Sequence, residues 1–349
     1  MTTLYRDFAP QTDPVKGKTV LITGGTGSFG RKMVSTLLTH FDPKKVIIFS
    51  RDELKQYEMR AELEEAFPKD KIARLRFFLG DVRDRNRLEL ALRGTDIVIH
   101  AAALKQVPAA EYNPSECIAT NVYGAENVVW ACLKNRVQRV VALSTDKACS
   151  PINLYGATKL ASDKIFVAAN NLVGDIGTRL CAVRYGNVVG SRGSVVPFFR
   201  RLLQQGASEL PITDPRMTRF WISLDQGVAF VLSCLELTQG GEIFVPKIPA
   251  TLVSDLATAM APEAKHTVVG IRPGEKLHEV MISADDSRVT YELDDRYVIE
   301  PEFVEYTRKS FAKVRGAKKV AEGFNYASDN NPERLDAEGI RSLMSAYLI

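Results

Sequence analysis

Two residue pairs in one short stretch, LSTDKACSPINLYGATK at 143–159, have types and spacing suited to moving protons and hydride. Tyr155 and Lys159 are i and i+4, so on a helix they share one face. A lysine ammonium near a phenol stabilises the phenolate and draws the tyrosine pKa toward neutrality. Such a tyrosine can take a proton from a hydroxyl while hydride leaves the same carbon. Thr145, closing the apolar run before it, supplies the helper hydroxyl. Asp146 and Lys147 are surplus to oxidation alone. An acid beside a base could serve a further proton transfer. The plainer reading, a solvated loop ion pair, fits poorly with a place at a strand end beside the tyrosine.

What accepts the hydride is indicated upstream. Gly24, Gly27 and Gly30 space as G-x-x-G-x-x-G, directly after the apolar run TVLI. With Gly25, Thr26, Ser28 and Phe29 they form a loop that opens a helix. Glycines let the backbone approach a pyrophosphate, and the helix N-terminus offers free N–H groups. A glycine pattern alone is weak, but strand, glycines and helix in this order are the confirming context for a dinucleotide. After the second strand, Ser50, Arg51 and Lys55 suit a 2′-phosphate, favouring NADP over NAD. Asp52 is read as the cap of the next helix. Asp81 is placed to take the adenine amino group or to cap a helix, and Val82 to pack on the ring. Ala101 and Ala102 leave room for the cofactor to cross. Lys105 is either a phosphate or nicotinamide contact or a plain surface lysine.

These residues need a frame. Short apolar runs at 19–22, 46–49, 75–79, 96–100, 137–143 and 180–184 alternate with helical patterns at 30–38, 52–67, 85–92, 121–134 and 155–170. Alternation of this kind predicts an α/β fold, a doubly wound parallel sheet (Rossmann) covered on both faces. Beyond residue 190 the pattern loosens into helices near 198–205, 223–237 and 251–260 and a strand at 242–245. The expected division is a polar N-terminal tail (1–16), a cofactor domain (17–190 plus about 223–250) and a smaller mixed lobe for substrate (about 191–222 plus 251–349). The last forty residues carry little pattern.

Composition narrows the partners. The 349 residues carry a net charge of +4, which suits an anionic small molecule. Nucleic acid calls for a concentrated basic face, and the chain shows only short basic runs such as that at 83–87. Four histidines without ligand spacing argue against a metal. Five scattered cysteines read as reduced thiols, hence a cytoplasmic setting. No apolar run approaches the length of a membrane span.

Together these motifs resemble the extended short-chain dehydrogenase/reductase superfamily, over about residues 18–279. Within it, STDKA at 144–148 and NLYGATK at 153–159 are similar to the inverting UDP-N-acetylglucosamine 4,6-dehydratases of pseudaminic acid biosynthesis, a flagellin-sugar route. So are SRDELKQ (50–56), HAAALK (100–105), RYGNVVGSRGSVVPFF (184–199), MTRFW (217–221), GEIFVPKIP (241–249) and IRPGEKLHEV (271–280). Hexose dehydratases of the superfamily commonly carry Asp-Glu where this chain has Asp146-Lys147.

The resemblance implies roles. Tyr155, with Lys159 and Thr145, oxidises C4 as hydride passes to NADP. Lys147 removes the C5 proton, which requires a lowered pKa, and Asp146 protonates the departing C6 hydroxyl. Hydride returns to C6, and C5 is reprotonated on its opposite face. Asn187, Val188, Arg192, Gly193, Ser194, Val195 and Val196 wrap the nucleotide sugar, with Lys105 and Lys147 nearby. Arg272 meets the diphosphate and Glu275 the uridine ribose. Thr213, Arg216 and Arg219 are weaker candidates. The resemblance also implies a homo-oligomer. A nucleotide-sugar 4- or 5-epimerase on the same scaffold and a non-catalytic NADP-binding protein are the alternatives.

Overall fold

The computed structural model of the chain describes residues 6–191 and 194–345. Six apolar runs become parallel strands β1 (Thr19–Thr23), β2 (Lys45–Ser50), β3 (Leu75–Leu79), β4 (Ile97–His100), β5 (Arg139–Leu143) and β6 (Arg179–Val183). Neighbouring residues of one strand feed opposite cores. Val20 and Ile22 of β1 join one cluster, Leu21 the other. Burial on both faces is why these strands read as unbroken apolar runs. Their order, β3-β2-β1-β4-β5-β6, reverses direction between β1 and β4. At that switch point the carboxyl ends open a crevice for ligand.

β7 (Asn187–Val188), β8 (Glu209–Ile212) and β9 (Thr218–Ile222) leave the main sheet, and β10 (Ile243–Pro246) returns to pair with β6. β11 (Ala250–Leu252) pairs with β9 and β12 (Lys265–Val268) with β8. β13 (Val280–Ile282) precedes β14 (Thr290–Glu292), β15 (Arg296–Ile299) and β16 (Lys318–Lys319), and β17 (Tyr326–Ala327) turns back to pair with β13. The small lobe has its own core around Val196, Trp221, Leu256 and Ile340.

Two expectations about the ends are corrected. Residues 290–319 do not all lie in the substrate lobe, because β15, β14 and β16 extend the main sheet antiparallel beyond β10. β10 is wholly buried, and a bare apolar edge there would leave its amides unpaired. The N-terminal segment is not a free tail from Arg6 onward. Phe8 is buried against Phe230, with ring centroids 5.0 Å apart. Arg6 donates to Glu333 at 2.6 Å and to the Lys247 carbonyl at 3.0 Å. A polar average over those residues hides a single large apolar anchor.

The helix expected at 121–134 begins earlier, in pieces. Helices at Val107–Tyr112 and Pro114–Ile118 run through a π-turn, Ala119–Tyr123, into Gly124–Lys134. Such wide turns recur at functional sites. This one aims Asn121 inward. Its amide bonds the Leu104 backbone N–H (2.8 Å) and carbonyl (2.9 Å) and the Thr158 hydroxyl (3.0 Å). One buried side chain thereby fixes the loop that carries Lys105 to the helix that carries Tyr155.

Candidate active site

A single cleft of about 1020 Å³ runs along the carboxyl ends of the strands and under the small lobe. At its base Gly24 sits in the left-handed region (φ 66°), where a Cβ would lie 2.9 Å from the Ala101 carbonyl. Gly30 packs so close to the loop that a Cβ would meet the Gly25 oxygen at 2.4 Å. Helix Ser28–His40 starts at Gly27 with no side-chain cap and no acid in its first turn. Its first N–H groups therefore face the cleft, with the positive end of the dipole. These features fit a pyrophosphate. Thr26, Gly27, Ser28, Phe29, Ala101 and Ala102 line the cleft beside Gly24 and Gly30. Gly25 does not. Its role is packing, since a Cβ would strike Ile48 at 2.7 Å.

At the adenosine end Ser50, Arg51, Lys55, Asp81 and Val82 line the same cleft. Asp52 caps the helix at Glu53–Ala66, as expected, accepting from the Lys55 N–H at 3.0 Å. Its other oxygen holds the Lys55 ammonium at 2.5 Å. Asp81 is engaged by Arg83 at 2.7 Å and by Arg51 at 3.5 Å. Val82 is buried against the helix that starts at Gly124, where a Cβ would come within 2.8 Å of it.

The chemistry lies where β5 ends. Asn153 caps helix Leu154–Ala168 by accepting from the Gly156 N–H at 2.8 Å. That helix lies so tightly on the Asp146–Ala148 turn that a Cβ on Gly156 would stand 2.2 Å from the Lys147 oxygen. Glycine after Tyr155 is thus what lets the two pairs share one site. Tyr155, Lys159 and Asp146 are buried, and Thr145 donates to Asp146 at 2.8 Å. Burial pushes the Tyr155 phenol up to about 12, against the opposing charge of Lys147 and a hydrogen bond with Thr145. The expected draw toward neutrality is reversed in the resting site, because desolvation outweighs the charge of Lys147. Burial pulls the Lys159 ammonium down, with the Asp163 charge resisting.

Lys147 departs further from expectation. Its ammonium lies 3.0 Å from Asp146 and 3.1 Å from Glu279, both buried carboxylates. Burial alone would lower its pKa, but the two carboxylates win and the net shift is upward. The lowered pKa expected for a base at this position is therefore absent in the resting site. Glu279 went unnoticed in the sequence, although it is the residue before the last in the segment IRPGEKLHEV. Arg219 lies 3.8 Å and Lys276 4.0 Å from it. Ser144 also lines the cleft, but its hydroxyl is donated to buried Asp163 at 2.8 Å.

The small lobe supplies the remaining wall. Lys105, Asn187, Val188, Ser194, Val195, Thr213, Arg272 and Glu275 line the cleft. Asn153 donates to the Gly274 carbonyl at 2.8 Å, tying the Arg272–Glu275 loop to the helix of Tyr155. Val196 was expected at the substrate and is instead buried with Trp221 in the lobe core, one residue round the helix from Val195. Arg216 is off the cleft, paired with Asp214 at 2.8 Å. Arg192 and Gly193 lie outside the described residues. Among the described residues no cluster of metal-ligating side chains occurs and no helix is long and apolar enough to cross a membrane.

Known proteins are similar to this chain in sequence and in fold. A UDP-N-acetylglucosamine 4,6-dehydratase (inverting) from Campylobacter jejuni is 59% identical over 90% of this chain and 93% of its own length. A UDP-glucose 4-epimerase from Rickettsia canadensis is 44% identical over 94% of this chain and 95% of its own. Among solved structures, Pen from Bacillus thuringiensis superposes with a TM-score of 0.84 at 35% identity, covering 95% of this chain and 98% of that one. DesIV from Streptomyces venezuelae, a dTDP-glucose 4,6-dehydratase seen with NAD and TYD, superposes at 0.64 with 25% identity, over 74% of this chain and 86% of its own. Residues 20–301, most of the chain, match the model of one family, and on that match and these identities the chain belongs to the polysaccharide biosynthesis protein family.

Proposed function

We propose that this chain catalyses the NADP-dependent 4,6-dehydration of UDP-N-acetylglucosamine with inversion at C5. The observation that carries the reading is the Asp146–Lys147 pair, its carboxylate buried and its lysine partly exposed to the cleft, beside Tyr155 in one cleft with the glycine cradle. The nicotinamide, when bound, takes the C4 hydride and returns it at C6. Tyr155 takes the C4 hydroxyl proton, helped by Thr145. Lys147 and Asp146 then act as a unit. In the resting site they form an ion pair 3.0 Å apart. A proton passed from Nζ to the carboxylate leaves an amine and a carboxylic acid, the base and the acid that elimination requires. Substrate filling the cleft excludes water and so disfavours separated charges. Glu279 is not stranded by this transfer, because Arg219 and Lys276 remain beside it.

Incubation with UDP-N-acetylglucosamine and NADP is expected to yield a product with a new C6 methyl signal in the proton NMR spectrum. In heavy water, deuterium enters C5. A product that keeps its C6 hydroxyl would overturn the reading in favour of C4 epimerisation, the activity named for the Rickettsia relative.

NADP is preferred to NAD because Arg51 and Lys55 line the adenosine end, while Asp52, which lines it too, caps a helix and pairs with Lys55. Arg51→Ala is expected to weaken NADP binding about tenfold, the worth of one charged hydrogen bond, and to leave NAD binding unchanged. Equal losses for both cofactors in fluorescence titration would refute the assignment. The five buried free cysteines support a reducing compartment, the cytoplasm. The reading includes a homo-oligomer, checked by sedimentation, and a product that enters pseudaminic acid or another surface glycan.

A further inference from the structure

We propose that Glu279 is a positioning residue for the elimination, holding the Lys147 amine as a second carboxylate beside Asp146 and stabilising the ammonium that forms as the C5 proton is taken. The inference rests on the dehydratase reading and assigns a role to a residue outside the Tyr155–Lys159 and Asp146–Lys147 pairs.

Glu279 is 1% exposed, yet it lines the cleft. A carboxylate so deeply buried is costly unless it is paired. Its Oε1 is 3.1 Å from Lys147 Nζ, as close as the Asp146 contact. Its Oε2 is buried with no hydrogen-bond partner among the described residues. The backbone holds it rigidly, with the Glu279 N–H donating to buried Ser328 at 2.9 Å and β13 starting at the next residue. Ser328 in turn hydrogen-bonds Thr218 at 2.7 Å, next to Arg219. Arg219 donates to the carbonyls of Thr218, Lys276 and Leu277, which clamps the Glu279 segment to the strand containing Arg219.

Lys147 thus reaches the reacting carbon from between two carboxylates with different duties. Asp146, adjacent in sequence and bonded to Thr145, exchanges a proton with it. Glu279, from a distant segment, has two further cations to balance it and can stay ionised throughout. A base oriented by a third group that stabilises its protonated form is a recurring catalytic arrangement. The charged and titratable groups facing Lys147 are Asp146, Glu279, Arg219, Tyr155 and Lys105 at the cleft rim. Of these, Asp146 and Glu279 hold its proton on.

The test is Glu279→Gln, with turnover followed by the C6 methyl signal across pH. Removing one of the two carboxylates lets Lys147 lose its proton at lower pH. The alkaline limb of kcat should therefore move toward neutrality, kcat should fall 10- to 100-fold, the range for an orienting partner, and KM should stay within about twofold. Glu279→Asp keeps the charge but not the reach, so its kcat falls while the alkaline limb stays in place; it serves as the test if the glutamine variant does not fold. An unmoved limb in Glu279→Gln, or a moved limb in Glu279→Asp, overturns the inference even while the wild type makes the methyl product. A wild type that makes no methyl product overturns the dehydratase reading instead.

Discussion

Lys147→Ala is expected to lower dehydration by roughly 10³-fold, within the span for removal of a general base, while NADP affinity changes less than about twofold. The two effects separate because Lys147 stands among the groups at the end of β5, whereas the pyrophosphate cradle is built from residues 24–30. The variant should fold. Asp146 keeps the Thr145 hydroxyl, and Glu279 keeps Arg219 and Lys276 within 4.0 Å. C5 exchange with heavy water should disappear together with the methyl product, since both need the same proton removed. Oxidation at C4 relies on Tyr155 and should survive, so reduced cofactor is expected to accumulate at 340 nm (an absorbance of NADPH). Turnover within tenfold of wild type would remove Lys147 from the role of base.

Arg184→Met is expected to cost about 3–5 kcal/mol of stability, the usual penalty for breaking one side of a buried ion pair. Arg184 is 2% exposed and Asp163 1%. The guanidinium lies 3.3 Å from Asp163, donates to the Met281 carbonyl at 2.8 Å, and has Asp286 at 3.8 Å. Methionine fills similar space, so the loss reports the charge and not a cavity. Asp163 would be left with the Ser144 hydroxyl and the charge of Lys159. Because Arg184 joins β6 to β13, the denaturant midpoint should drop with a single transition. Unfolding free energy within 1 kcal/mol of wild type would show that Asp163 finds other solvation.

Local pattern carried much of this molecule. β1, β2 and β4 are buried on both faces, so each announces itself as a run of apolar residues, and the glycine loop between strand and helix has a required order. Tyr155 and Lys159 were legible because i,i+4 spacing is local. Glu279 was not. Its meaning depends on a contact with Lys147 that spans more than a hundred residues, and a glutamate in a polar segment looks like any solvated one. The sign of the Lys147 shift was missed for the same reason, since burial was foreseeable and the second carboxylate was not. Val196 and Val195 differ by one step along a helix, which decides cleft or core, and sequence similarity does not resolve one step. The strands at 290–299 escaped notice because they are short and their partner β10 is distant. Phe8 escaped because one aromatic residue in a polar stretch leaves no period.

The clasp between Arg6 and Glu333 joins residues 327 positions apart. On a ribosome that interval is time. The cofactor domain has its parallel strands early, but β10 has no outer neighbour until residues 296–299 emerge, and Phe8 has no fixed cover over Phe230 until that helix is made. A nascent chain therefore carries an undocked N-terminal anchor through much of its synthesis and an unpaired apolar strand edge between residues 246 and 296, the condition under which chains aggregate or recruit chaperones. Closure comes last and from both ends together, so a break in either terminal segment would be felt by the whole sheet and not just by the residues removed.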